Sequence, residues 1–186
     1  MTIGHHGRPY LINEVLQVDL VLTDNEISGL LAVPKMVVNP RARVKEQRGS
    51  LQLNYAVQSL AAEAEFEVFV RQSLRDPQGF SCGLIYVPRS SERVTLMRCN
   101  GGNHLHINSL ENFESIGKCC HIHIATERYM AAGRKPDHYA QPTQLFGEVH
   151  GALRTLIEKC NIDGLPSGNK MDPLNFLSQF SETNND

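Results

Sequence analysis

No pair of cysteines in the chain is spaced as Cys-x-x-Cys, and the five cysteines present are an odd number. That excludes a disulfide framework. Cys119 and Cys120 are adjacent and would point to opposite faces of a strand. A reduced, cytoplasmic protein is expected. No apolar run approaches the roughly 20 residues a membrane helix needs, so no membrane partner is expected. The opening MTIGHHGRPY lacks a charged segment followed by an apolar one, so no signal peptide is expected either. The formal net charge is −2, which removes any global polycation argument for nucleic acid and leaves only a local basic footprint. Long repeats and low-complexity blocks are missing too. What is there is ordinary: 41% hydrophobic and 20% charged residues in a chain of 186, enough for one domain with a real core.

Taken in order, residues 1–22 read as a loosely structured leader, with His5 and His6 solvated. Thr23-Asp-Asn-Glu26 is a capping-box pattern, and Ile27, Leu30 and Leu31 follow at helical spacing until Pro34. The middle alternates with the period of strands: Leu51, Leu53, Tyr55 and Val57; Phe66, Val68 and Val70; Cys82 to Val87; Val94, Leu96 and Arg98. Asp76-Pro-Gln-Gly79 is a turn between the second and third of these. Thr126 can cap a short helix over Glu127 to Ala132, stopped by Gly133. A longer helical pattern begins at Pro142 and Thr143 and ends near Asn161. A loop, a short helix over Asp172 to Phe180 and a polar tail complete residues 163–186. The expectation is a single α+β domain over 23–162. It has an antiparallel sheet of about five strands with N- and C-terminal helices packed on it.

Two stretches carry chemistry. The first is basic: Lys35, Arg41, Arg43, Lys45 and Arg48 against Glu46. It reads as a solvated linker or, with Arg41, Arg43 and Lys45, as a phosphate-contacting segment. The second runs from Leu96 to Arg128 and holds four of the eight histidines. His104-Leu-His106-Ile-Asn108 and His121-Ile-His123 have the same shape. In extended chain, His104, His106 and Asn108 would share one face, and His121 and His123 another. Asn112 to Lys118 suits a return loop, so the two segments are expected to pair as antiparallel neighbours.

Three readings fit the histidines. They are ordinary strand residues satisfied by neighbours. Or they hold zinc or another transition metal through His104, His106, His121 and His123. Or they perform metal-independent acid–base chemistry on RNA, with a base for the 2′-hydroxyl, an acid for the leaving oxygen and a cation for the phosphate. Arg98, His104, His106, His121 and His123 supply that catalytic inventory. Arg71, Asn100, Asn108, Thr126 and Arg128 are the candidate substrate contacts. The third reading leads, as a toxin-like ribonuclease; the rival from another class is a non-catalytic module binding nucleic acid or protein.

The segments FVRQS at 69–73, FSCGLIYV at 80–87, LMRCNGGNHLHIN at 96–108 and CHIHIATERYMAAG at 120–133 resemble a family of small, uncharacterised bacterial proteins. Its signature is Arg-Tyr-Asn-Gly, then His and Asn, then His-Ile-His and Ala-Thr-Glu-Arg; here Cys99 stands for the Tyr. Together with AVPKMVVNP at 32–40, the likeness spans roughly residues 23 to 162. It implies a gene of mobile-element or defence neighbourhoods. A weaker likeness is to TumE-type toxins of toxin–antitoxin systems, which implies a nucleic-acid-directed toxin with an antitoxin partner. His104, His106 and Glu111 also resemble part of the first cupin motif, though Arg98 stands where a Gly is expected and no second motif follows.

Overall fold

The computed structural model describes residues 20–89 and 92–165. Residues 1–19 of the expected leader and the expected helix over Asp172 to Phe180 with its tail lie outside the described residues. Helix α1 (Asp24–Ala32) starts as its sequence dictates. Glu26 N donates to Thr23 Oγ1 at 3.2 Å, and Thr23 N donates to Glu26 Oε2 at 2.8 Å, so the capping box is closed from both sides. Then follow β1 (Lys35–Val37), β2 (Lys45–Gln47), β3 (Ser50–Ser59), β4 (Glu65–Ser73), β5 (Phe80–Val87) and β6 (Val94–Asn100). A small hairpin of β7 (His106–Asn108) and β8 (Glu114–Ile116) comes next, then β9 (His121–Ile124) and α2 (Glu127–Ala131). A 3-10 turn (Pro136–His138), β10 (Ala140–Pro142), α3 (Val149–Lys159) and β11 (Ile162–Asp163) complete the described chain.

The four long strands β3 to β6 form an antiparallel meander where alternation placed them. Leu51, Leu53, Tyr55 and Val57 are buried on one face while their neighbours are exposed or half-buried. The α+β expectation of about five strands is nevertheless overturned. The described residues are mostly β: nine strands in one mixed sheet, in the order β10-β9-β6-β5-β4-β3-β1-β11 with β2 also on β3, plus the two-stranded β7–β8 sheet. Only three short α-helices are present among the described residues. The extra strands are two or three residues long, too short to show a period. One is made of Lys-Glu-Gln, held by pairing to β3 rather than by an apolar face. The parallel β1–β11 pair makes the sheet mixed.

Two further expectations are corrected. The long helix begins at Val149, not at Pro142, because Pro142 is an edge residue of β10, where its missing N–H costs nothing. The stretch expected as a return loop contains β8, which takes β7 as its partner.

Helix α3 lies on one face of the sheet with Val149, Ala152, Leu153 and Leu156 buried against the core side of β4, β5 and β6. The opposite face carries the polar residues. Register there is continuous across strands. Asn54, Phe69, Gly83, Arg98, His123 and Ala140 are successive partners in one row. Lys45, Gln52, Arg71, Ser81, Asn100, His121 and Pro142 form the next. Gly83 is needed in the first row: a Cβ there would lie 2.7 Å from the Phe69 ring that crosses it.

Candidate functional site

The histidine cluster sits where β9 is clamped between β6 and β10. Pairing sets His121 opposite Asn100 and His123 opposite Arg98, which is why residues upstream of the histidines join them. The hairpin β7–β8 reaches the same place from above. The two histidine segments do not pair as strands, contrary to expectation: β7 pairs β8, and β9 pairs β6 and β10. Their imidazoles meet all the same. The His106 ring lies 5.7 Å from that of His121, 4.7 Å from His123 and 5.1 Å from His138, centroid to centroid. His104 stands edge-on to His121 at 5.0 Å, and His121 to His123 at 4.9 Å.

Asn108 holds the hairpin in position. Its side chain copies a strand: Nδ2 donates to Ala140 O, and Oδ1 accepts from Ala140 N, both at 2.9 Å. That fixes the amide orientation, so the bond between His106 Nε2 and Asn108 Oδ1 at 3.2 Å must carry its proton on His106. Nδ1 of neutral His106 is then bare. Tyr129 is the second anchor. Its hydroxyl accepts from Leu110 N at 3.1 Å and donates to Glu111, whose other oxygen is ion-paired to Arg128.

The inner pair lies deeper, and one of its protons is placed by the same logic. His121 Nδ1 donates to Cys119 O at 2.8 Å, since a carbonyl can only accept. Asn100 Nδ2 lies 3.5 Å from His121 Nε2, the bare nitrogen of that ring when neutral, and 3.3 Å from His123 Nε2. His121 is 0% and His123 2% exposed. Burial, then the Arg98 charge and the His121 and His106 rings, push His123 down to about 2. Burial also lowers His121, against the pull of the Cys119 carbonyl, and lowers His106, against its bond to Asn108. The outer histidines are open to solvent: His104 is exposed, His106 and His138 half-buried.

Among the described residues, Arg98 is held at one end only. Its Nε donates to Asp137 Oδ2 at 2.8 Å, and Lys135 Nζ lies 3.6 Å from the other oxygen. Asp137 is fully buried, a negative post between two cations. Beside it opens a pocket of about 230 Å³, lined by Phe69, Arg71, Arg98 and Lys135 with Asn54, Glu67, Ser81, Ile85 and Thr95. Arg71 is steadied there by the Phe69 ring, 5.4 Å from its guanidinium carbon.

The cluster thus gathers Arg98, Asn100, His104, His106, Asn108, His121 and His123, and places Arg71 on the same face. Thr126 is not a side-chain cap of α2; its Oγ1 is buried without a partner among the described residues. Arg128 turns away to Glu111 and packs on the rings of Tyr129 and Tyr139. Arg41, Arg43 and Lys45 are exposed far along the sheet from the histidines, in and beside β2. Lys135, Asp137 and His138 belong to the site and were missed, because they sit in irregular chain and reach it only through tertiary contact. Among the described residues, no three His, Cys, Asp or Glu side chains are disposed to hold a metal ion. All five cysteines are free thiols. No helix among the described residues is long and apolar enough to cross a membrane. Comparison with family models, curated proteins and solved structures finds no match to this chain.

Proposed function

We propose that the chain is a metal-independent ribonuclease of toxin-like character that cleaves RNA through its own 2′-hydroxyl. The observation that carries this reading is the pairing of solvent-open imidazoles with a half-tethered arginine. His104 and His106 flank the buried His121, and Arg98 uses only Nε on Asp137, which leaves its forked end for a phosphate. His106 Nδ1 takes the 2′-hydroxyl proton as the oxygen attacks phosphorus. The bond to the 5′ oxygen breaks, and that oxygen takes a proton from His104 in its imidazolium form. The products are a 2′,3′-cyclic phosphate and a 5′-hydroxyl. Arg98 stabilises the charge gathering on the phosphate, and its fork suits two oxygens at once. His121, His123 and Asn100 form the buried floor against which the rings of His104 and His106 are set.

A toxin needs a partner that silences it. Leu105, Ile107, Leu110 and Phe113 are exposed on the hairpin over the histidines and offer an antitoxin protein an apolar surface beside the site. The second reading, a non-catalytic nucleic-acid-binding module, draws support from the depth of the inner histidines and from the exposed Arg41, Arg43 and Lys45.

Induced expression in a bacterial host separates the two. Wild type beside His104→Ala/His106→Ala is scored for growth and total RNA integrity, with soluble yield as the control. Arrest with RNA loss in the wild type alone is expected. Arrest by both proteins supports the binding module, and harmless growth of both removes the toxin reading in that host.

A further inference from the structure

The face of the sheet that carries the site continues well beyond it, and nothing described packs on its middle. Helix α3 covers the other side. Here Gln52 is half-buried, Asn54 and Arg71 are exposed, and Ser81 and Thr95 are half-buried. Register lines up Lys45, Gln52, Arg71, Ser81, Asn100 and His121 on six neighbouring strands, β2 to β9. Cross-strand partners share a face. The row crosses five strand spacings, roughly 24 Å from Lys45 to His121.

Charge along this row has one sign. Lys45 stands at one end and Arg71 in the middle. Arg98 and Lys135 flank the pocket toward the histidines. Asp137 beside them is buried and already paired to both Arg98 and Lys135. Glu67, on the pocket's other side, is ion-paired to Arg93. Arg71 is braced on Phe69 and Arg98 on Asp137, so both guanidiniums are presented rather than trailing in solvent. A small anion would need one such group. A line of them, with amides and a hydroxyl between, fits a chain with phosphates at intervals.

We propose that this row is a track for single-stranded RNA, running across the β-strands from Lys45 through the Arg71 pocket to the histidines. The proposal rests on the ribonuclease reading and deepens it. The substrate is an extended single strand, and its phosphates, not its base edges, set where it lies. Lys45 becomes the distal phosphate contact of the run Arg41 to Lys45, tied to the site by strand register although distant from it in the fold.

The test is equilibrium binding of a fluorescein-labelled 2′-O-methyl oligoribonucleotide, which cannot supply the attacking hydroxyl, read by anisotropy over a salt series. Arg71→Gln and Lys45→Gln are exposed changes that leave the core intact. Each is expected to weaken binding and to reduce the slope of log Kd against log salt by about 0.7, the value for one lost phosphate contact on a single strand. Arg154→Gln on α3, across the sheet, is expected to leave the slope unchanged. Affinity is expected to rise with oligomer length until the row is spanned. Unchanged slopes in both variants, equal binding of a duplex, or no binding at all would overturn the track. Cleavage of unmodified RNA is scored separately on the same proteins. Binding without cleavage sinks the nuclease reading and leaves the track; cleavage with unchanged slopes does the reverse.

Discussion

Acid should loosen this protein through His123, and by a calculable amount. The folded environment holds His123 down to about 2, against an ordinary value of 6.5, because the ring is buried beside Arg98 and two other imidazoles. Below pH 6.5 the unfolded chain therefore binds a proton that the folded chain refuses. Stability from this group is fully present above 6.5 and is lost as pH falls toward 2. The loss runs at about 1.4 kcal/mol per pH unit, or about 2.7 kcal/mol by pH 4.5. His121 and His106 are lowered as well and act with the same sign. The perturbation that isolates the effect is His123→Gln, which keeps a polar side chain beside the Asn100 amide but cannot titrate. Urea unfolding at half-unit steps from pH 7.5 to 4.5 reads both proteins. Above pH 7 their stabilities should run parallel, offset by the cost of the substitution. Between 6.5 and 4.5 the wild type should fall more steeply by about 1.4 kcal/mol per unit. Carboxylate effects are common to both and cancel in the difference. Equal slopes across that window would refute the claim that His123 is held neutral by its surroundings.

Lys35 is a structural cation. Its Nζ donates to Leu31 O, Val33 O and Cys160 O at 2.8–2.9 Å, gathering the C-terminal ends of α1 and α3. Lys35→Met leaves three carbonyls unpaired and should cost about 3 kcal/mol or more in urea unfolding. Asn108→Ala removes both bonds to the Ala140 backbone, worth about 2 kcal/mol together. Amides of β7 and β8 should then exchange about 30-fold faster, while those of β4 and β5 hold their protection. Cleavage should fall with them, because His106 loses the partner that sets its tautomer.

The parts of this molecule visible in sequence are those where a period or a local cap decides. Thr23 and Glu26 announce α1 because the capping box is a contact between near neighbours. Leu51 to Val57 announce β3 because alternation over ten residues matches one buried face. The histidines, Arg98, Asn100 and Asn108 stood out by chemistry and do meet. Their mode of meeting was hidden. Strand partners are chosen by long-range register, so His106 found Ile116 rather than β9. Edge strands such as Lys45–Gln47 have no pattern of their own and exist because β3 offers them a ladder. Asp137 and His138 come from a proline-led turn, and nothing local marks them as neighbours of Arg98 and His106.

The most direct test of the central claim is chemical. Purified wild type and His106→Ala are incubated with a single-stranded RNA in excess chelator, and the product ends are identified. Cleavage by the wild type to 2′,3′-cyclic phosphate and 5′-hydroxyl ends, with a loss of about 100-fold or more in the variant, is the expected result. Intact RNA with the wild type, or equal cleavage by a well-folded His106→Ala, would contradict it.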